Sequence, residues 1–86
     1  MPYIKKEDRA TFDSEINTLV EKLHNKPIGC VNYVISRIIW GLFRKAKSYT
    51  TGNNLSGALS CVQQEFYRRE LALYEDEKIK ENGDIG

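Results

Sequence analysis

The sequence feature that most constrains the fold is a stripe of hydrophobic residues in the last third of the chain. At about 100° per residue, Arg69 falls on this same stripe of an α-helix. A guanidinium among apolar side chains needs a carboxylate, a ligand or a neighbouring subunit to satisfy its donors. Arg69 is therefore the first candidate functional residue. The stripe recurs at three-, four- and seven-residue steps, as expected for one helix face, and consists of Leu55, Leu59, Val62, Phe66 and Leu73.

The chain is short, and its length limits how much core it can bury. With 86 residues, we expect one domain with only a small net stability. Domains of this size commonly gain stability from disulfides, metal sites or association. Cys30 and Cys61 are too few for a disulfide scaffold and lack the Cys-x-x-Cys spacing of a metal site. We expect both to be reduced packing residues in a cytosolic protein, which leaves association as the stabiliser.

The polarity pattern predicts an all-α fold, a small bundle in a single domain that spans residues 1–86. Asp13 is the predicted N-cap of the first helix, and Pro27 is expected to end that helix. Ser48–Asn54 is polar and is predicted to be a loop, whereas Gly83 suits a left-handed position after the last helix. The three main helices are predicted at about 14–25, 30–47 and 54–80, and the bundle is expected to assemble as a homo-oligomer.

Charge and hydropathy restrict the partners that the chain can have. The formal net charge is +1, so no overall field attracts nucleic acid or an anionic membrane surface. The first residues are polar and charged, and no apolar run approaches the roughly 20 residues that span a bilayer. We therefore expect no signal peptide, no membrane partner and no nucleic-acid partner.

The second predicted helix carries an aromatic and basic line opposite its inward face. Tyr33, Arg37, Trp40 and Arg44 follow one another at steps of four, three and four residues. One interpretation is a solvated face on which Trp40 fills a gap under a loop. The other is an interface with another chain, where Trp, Tyr and Arg are enriched, or a surface on which a base stacks. The predicted interface residues are Trp40, Phe43, Arg44 and Tyr74.

The centre of the third predicted helix offers arginines and a tyrosine that suit an anionic ligand. A planar guanidinium can donate two parallel hydrogen bonds to a phosphate, and a tyrosine ring can stack on a base. A purely structural role is equally consistent with the sequence, because Glu65 precedes Arg69 by four residues, the favourable order for an intrahelical pair. Arg68 is expected near Glu75. The predicted ligand-binding residues are Arg69, Arg68, Tyr67, Arg37, Asn32 and Tyr33.

Patterns typical of enzymes are weak in this chain. His24 is the single histidine, has no nucleophile paired with it in sequence, and is expected to be a surface residue near a helix C-terminus. No glycine-rich phosphate loop is present. Glu81 and Asp84 have the three-residue spacing of a magnesium-dependent nucleotide hydrolase, but no matching pair lies on an earlier helix. We expect a protein that is not an enzyme, with no metal and no cofactor.

Several short motifs along nearly the whole chain resemble those of one uncharacterised protein family. That family consists of short proteins of unknown function found in bacteriophage and bacterial genomes, and the resemblance implies a small accessory protein acting in the bacterial cytoplasm. It implies no catalytic or binding residue. Trp40 and the basic connection from Arg44 to Lys47 depart from its usual pattern. The motifs are Pro2-Tyr3-Ile4-Lys5, Glu7-Asp8-Arg9, Asn32-Tyr33-Val34-Ile35, Glu65-Phe66-Tyr67-Arg68-Arg69, Tyr74-Glu75-Asp76 and Glu81-Asn82-Gly83-Asp84-Ile85.

Three functional hypotheses follow from these observations. The first is a homo-oligomer that binds and sequesters a small anionic ligand; by analogy with other short phage proteins, a nucleotide signalling molecule of host defence is the leading candidate. The second is a protein-binding adaptor or inhibitor of a host enzyme, with the line from Tyr33 to Arg44 as its contact surface. The third is a magnesium-dependent nucleotide hydrolase that uses Glu81 and Asp84. The first is the hypothesis that we favour from sequence.

Overall fold

The computed structural model describes residues 4–86, and within that range all the regular secondary structure is helical. The all-α prediction is confirmed for this part of the chain, whereas bundle packing, a single domain and the oligomeric state stay predictions. Pro2 and Tyr3 of the first motif lie outside the described residues. The elements are α1 (Lys6–Leu23), α2 (Ile28–Lys45), α3 (Tyr49–Phe66), one π-helical turn (Tyr67–Leu71) and α4 (Ala72–Asn82).

The chain divides into two compact units, the first ending at Ile38 and the second running from Ile39 to Gly86. In the first unit, α1 begins at Lys6 rather than after Asp13, so the predicted N-cap is wrong and Asp13 lies within the helix. No proline or glycine interrupts Lys6–Leu23, and Glu7 and Asp8 place negative charge in the first turn, where the helix dipole favours it. These features extend the helix upstream of the predicted start.

A tight turn joins α1 to α2. Asn25 has φ 63°, the left-handed conformation that asparagine tolerates better than most residues, and the Lys26 N–H donates to the Leu23 carbonyl at 3.0 Å. Pro27 then stands directly before α2, which begins at Ile28 and ends at Lys45. Pro27 was predicted to end the first helix, but α1 already ends at Leu23, ahead of the left-handed Asn25. Both helices end about two residues earlier than predicted.

The predicted loop at Ser48–Asn54 is wrong, because α3 begins at Tyr49. Ser48 has an extended backbone, and its hydroxyl oxygen accepts a hydrogen bond from the Thr51 N–H at 3.0 Å. A serine in this geometry satisfies one of the donors that a helix start leaves unpaired. Ser48 precedes Gly52 and Asn53, whose weak helix propensity suggested a loop. Because the cap starts the helix before these two residues, the polar segment forms the first turn of α3.

A π-helical turn interrupts the predicted long third helix without breaking its course. The Ala72 N–H donates to the Tyr67 carbonyl five residues earlier, where an α-helix would bond four residues back. One extra residue is thus accommodated, and α4 follows directly. The helix ends at Gly83, whose φ of 86° and N–H bond to the Ile79 carbonyl confirm the predicted C-terminal position.

Large hydrophobic side chains stay in contact with solvent along both units. Among residues 4–86, none is buried. The α3 stripe shows the effect: Leu55 is half-buried, whereas Val62 and Phe66 are about as exposed as Trp40, which keeps 54% of its surface in solvent. Large apolar side chains exposed along one helix face, as at Leu59, Val62 and Phe66, are typical of proteins that associate.

Candidate interaction groove and arginine cluster

An apolar groove lies where the end of α2 meets the first turns of α3, wholly within the second unit. Its cavity volume is about 350 Å³, within the lower part of the range of small-molecule pockets. It is open to solvent along its length. We call it the Trp40 groove, and its lining residues are Ile39, Trp40, Phe43, Gly52, Leu55, Ser56 and Leu59.

Phe43 stands beside Gly52 in the groove. A Cβ at Gly52 would stand 3.6 Å from Cε1 of Phe43, an ordinary van der Waals distance, so an alanine would fit here without displacing the ring. Phe43 is half-buried. Gly52 was not predicted as part of the groove, because the sequence pattern assigned it to a loop. Ser48, a residue type that commonly caps the start of a helix, was the signal that could have placed Gly52 on a helix.

The four predicted interface residues are all partly or fully exposed. Trp40 and Phe43 line the groove, and Arg44 lies in the last turn of α2. Tyr74 is on α4, where the ammonium of Lys78 lies 5.5 Å from the centre of its ring, close enough for a cation–π interaction. The structure therefore brings Trp40 and Phe43 together in one groove and leaves Tyr74 on a separate element. Their role as an interface stays a prediction.

The arginines of the π turn share one carboxylate. Nη2 of Arg68 donates to both oxygens of Glu65 at 2.9 Å, whereas Nη1 of Arg69 lies 3.7 Å from Oε2 of the same residue. The prediction that Arg68 lies near Glu75 is wrong, because Arg68 turns back towards Glu65. The side chain of Arg69 keeps 57% of its surface in solvent. Two guanidinium groups thus lie within 4 Å of one carboxylate.

The π turn also explains a side-chain contact between two residues of the helix that are far apart in sequence. The Tyr67 hydroxyl donates to Oε1 of Glu75 at 3.0 Å, eight residues further on. In an unbroken α-helix these residues would point about 80° apart, and the extra residue of the turn brings them into line. This hydrogen bond, and the negative charge of Glu75, raise the pKa of Tyr67 above its ordinary value of 10.0. The contact therefore favours the neutral form of the tyrosine.

The remaining predicted ligand residues lie on α2 within the first unit. Nη1 of Arg37 donates to the Tyr33 hydroxyl at 2.7 Å, and the guanidinium carbon stands 5.7 Å from the ring centre, so one turn of helix holds both side chains together. Asn32 accepts a hydrogen bond from the Ser36 hydroxyl at 3.2 Å. The six predicted ligand residues thus form two groups, one on each unit: Asn32, Tyr33 and Arg37 on the first, Tyr67, Arg68 and Arg69 on the second.

The candidate catalytic groups occupy ordinary structural positions. His24 is the exposed C-cap of α1, as expected, and Cys30 and Cys61 are half-buried free thiols. Glu81 accepts from the Lys78 ammonium at 3.1 Å, and Asp84 accepts from the Ile85 N–H at 2.6 Å. Within residues 4–86, no three His, Cys, Asp or Glu side chains are arranged to hold a metal ion.

Comparison with known proteins places the chain in a family. Across the described part of the chain, no helix combines the length and the apolar character needed to cross a membrane. No curated protein and no solved structure matches the chain. A family model described as a domain of unknown function, DUF6899, matches residues 1–85, so the chain belongs to the DUF6899 family.

Proposed function

We propose that this protein is a homo-oligomer that binds a small anionic ligand through its arginines. The leading candidate is a nucleotide signalling molecule of host defence, sequestered in the cytoplasm of a bacterial cell by a phage-type accessory protein. The observation that carries the proposal is the absence of any buried side chain among residues 4–86. Apolar surface in water costs about 25 cal/mol per Å², so a second copy that covers the stripe and the Trp40 groove stabilises the fold.

The arginine chemistry supports an anion as the ligand. The cluster at Glu65, Arg68 and Arg69 carries two guanidinium groups for one carboxylate, at 2.9 and 3.7 Å. Two oxygens of a tetrahedral phosphate can accept the same pair of guanidinium hydrogen bonds as a carboxylate, and a phosphate carries more negative charge, so it can compete for the same donors. Tyr67 and Tyr33 supply rings on which a base can stack, and both are more than half exposed.

The test is thermal unfolding of the purified protein with a panel of cyclic and linear nucleotides and inorganic phosphate. A ligand that binds only the folded protein stabilises it by about 2.7 kcal/mol at a hundred times its dissociation constant. We expect Arg69→Ala to remain folded and oligomeric but to lose this stabilisation, whereas Lys80→Ala, which removes an equal charge from α4, retains it. If no compound raises the melting temperature, the ligand proposal fails. If Arg69→Ala instead loses assembly or stability, the arginine has a structural role.

A second candidate function, a protein-binding adaptor or inhibitor, is favoured by the Trp40 groove. The groove is lined mainly by apolar and aromatic side chains, which are enriched at the centres of protein interfaces. An adaptor of this kind is a monomer alone and becomes part of a hetero-complex that Trp40→Ala abolishes. Native mass of the purified protein distinguishes the two functions, since self-association is required by the first and not by the second.

A further inference from the structure

The acidic α4 of one copy cannot reach the Trp40 groove of the same copy. α3, the π turn and α4 follow one another without a break from Tyr49 to Asn82. At 1.5 Å per residue, Ile79 stands roughly 35 Å along the helix from Leu55 in the groove. A helix cannot fold back on itself over that distance. Any α4 that lies in the groove therefore comes from another copy of the chain.

Resting on the self-association in the proposed function, we propose that two copies pair antiparallel along Tyr49–Asn82, with a two-fold axis beside Phe66. Each copy then lays its α4 over the Trp40 groove of the other. Phe66 stands at the midpoint of this helical segment, and a two-fold axis there makes the interface self-complementary and closed. The arrangement predicts a dimer rather than an open chain of subunits.

Charge complementarity supports the antiparallel direction. The groove end of each copy carries Arg44 and Lys45 in the last turn of α2, and Lys47 beyond it. The far end of the helix is acidic: α4 contains four carboxylates and two lysines. An antiparallel pair sets the basic end of one copy beside the acidic end of the other, whereas a parallel pair places like charges together, which is unfavourable.

The exposed apolar surface is of the size that a dimer needs. Taking about 150–250 Å² for a fully exposed large side chain, the exposed fractions along this face amount to roughly 500 Å² per copy. A standard interface buries about 800 Å² per partner, of which somewhat more than half is non-polar. The contributing side chains are Trp40, Leu59, Val62, Phe66 and Leu71.

The pairing also brings the anion site of both copies to one place. Glu65 and Arg69 lie one and three residues from Phe66, on one flank of the stripe. A two-fold axis perpendicular to both helices turns this flank of each copy to the same side. Arg69, whose Nη1 lies 3.7 Å from Oε2 of Glu65, then stands close to the axis in both copies. Two subunits then contribute to one site.

Disulfide cross-linking tests the register. Leu59 lies seven residues before Phe66 and Tyr74 eight after it. Because the π turn adds one residue, both face the same way as Phe66. In a background with Cys30 and Cys61 replaced by alanine, we expect Leu59→Cys combined with Tyr74→Cys to form a covalent dimer on mild oxidation. Within one chain these positions are about 22 Å apart, too far for a disulfide.

The matched control moves the second cysteine to the opposite face of the helix. In the pair Leu59→Cys with Ala72→Cys, the second cysteine lies at almost the same height along the helix as Tyr74 but faces away from the interface. We expect no covalent dimer from this pair. Val62→Cys with Glu70→Cys is a second pair in the predicted register, and it tests the proposal even if the first pair fails to fold. Circular dichroism of the reduced proteins checks that each variant keeps its helices. Cross-linking through Leu59→Cys alone indicates parallel pairing and overturns the proposal.

The outcomes separate this inference from the proposed function. A native mass equal to that of one chain contradicts both the antiparallel pairing and the self-association. If the protein is an oligomer but neither cysteine pair forms a covalent dimer, the antiparallel pairing is wrong and the self-association still stands. A nucleotide or phosphate that raises the melting temperature of an oligomer without these cross-links supports the anion ligand alone.

Discussion

Deleting Glu70 from the π turn is expected to leave every helix face where it is. The turn holds one residue more than an α-helix would, as the bond from the Ala72 N–H to the Tyr67 carbonyl shows. Without Glu70, the same two groups are four residues apart, and the turn can close as ordinary α-helix. Tyr67 and Glu75 then stand seven residues apart, about 20° from alignment, so their hydrogen bond is retained.

The effect on stability follows from the hydrogen bonds of the turn. A π turn leaves one backbone carbonyl without its α-helical partner, and a net intramolecular hydrogen bond contributes about 1 kcal/mol. Deleting Glu70 should therefore raise the melting temperature by about 4–8 °C for a chain of this size. Deleting Ala58 from the middle of α3 is the matched control. It rotates the residues that follow by about 100° relative to Leu55, which breaks the stripe and should lower the melting temperature.

Thermal unfolding by circular dichroism, native mass and ultraviolet titration of the tyrosines measure the result. The Glu70 deletion should keep the helical signal, the mass per assembly and the raised pKa of Tyr67, because Tyr67 still faces Glu75. If it loses as much stability as the Ala58 deletion, or if the pKa of Tyr67 returns to its ordinary value, the register argument is refuted.

Three further predictions concern single side chains. Ser48→Ala removes the cap of α3 and should cost about 1 kcal/mol, measured by urea unfolding. Gly83→Ala forces an alanine to φ 86° and should destabilise by about 1 kcal/mol, whereas Gly57→Ala, in open space within α3, should stabilise by a similar amount. Tyr67→Phe should remove a stabilisation that is present below about pH 10 and lost as the pH rises through the raised pKa of Tyr67 in the folded protein.

Each of these predictions has an outcome that contradicts it. An unchanged urea midpoint for Ser48→Ala means that the cap does not hold the start of α3. Equal effects of the two glycine substitutions mean that backbone conformation does not distinguish them. For Tyr67→Phe, the comparison is the pH dependence of unfolding from about pH 8 to pH 12; identical profiles for variant and parent exclude the hydrogen bond to Glu75 as its source.

The helices could be predicted from sequence where hydrophobic periodicity was strong. The stripe from Leu55 to Phe66 and the stop at Gly83 were both found, because their signals are local: a 3.6-residue period and a residue that tolerates positive φ. The start of α3 was missed because Gly52 and Asn53 have low helix propensity, and that prior outweighed the cap at Ser48. Propensity is a weak guide wherever a cap or a packed ring, here Phe43 against Gly52, acts on the same residues.

The candidate site was predictable in composition but not in geometry. Arg68 and Arg69 were identified from their chemistry, and the pairing of Arg69 with Glu65 followed from the four-residue spacing. The partner of Arg68 was not predictable, since a π turn has no clear sequence signal and changes the direction of every residue after it. The Tyr67–Glu75 contact, eight residues apart, depends on that turn and could not be derived from α-helical spacing.

The chain contains a single tryptophan, and its place in the groove makes it an internal optical probe. Trp40 has just over half of its surface in water. Its fluorescence emission should therefore shift to shorter wavelength when a bound molecule excludes water from the indole ring. The emission should stay constant when a compound binds elsewhere. Dilution, added nucleotide and added protein can each be followed through this one indole without a label. The colour of its emission thus reports which face of the molecule is occupied.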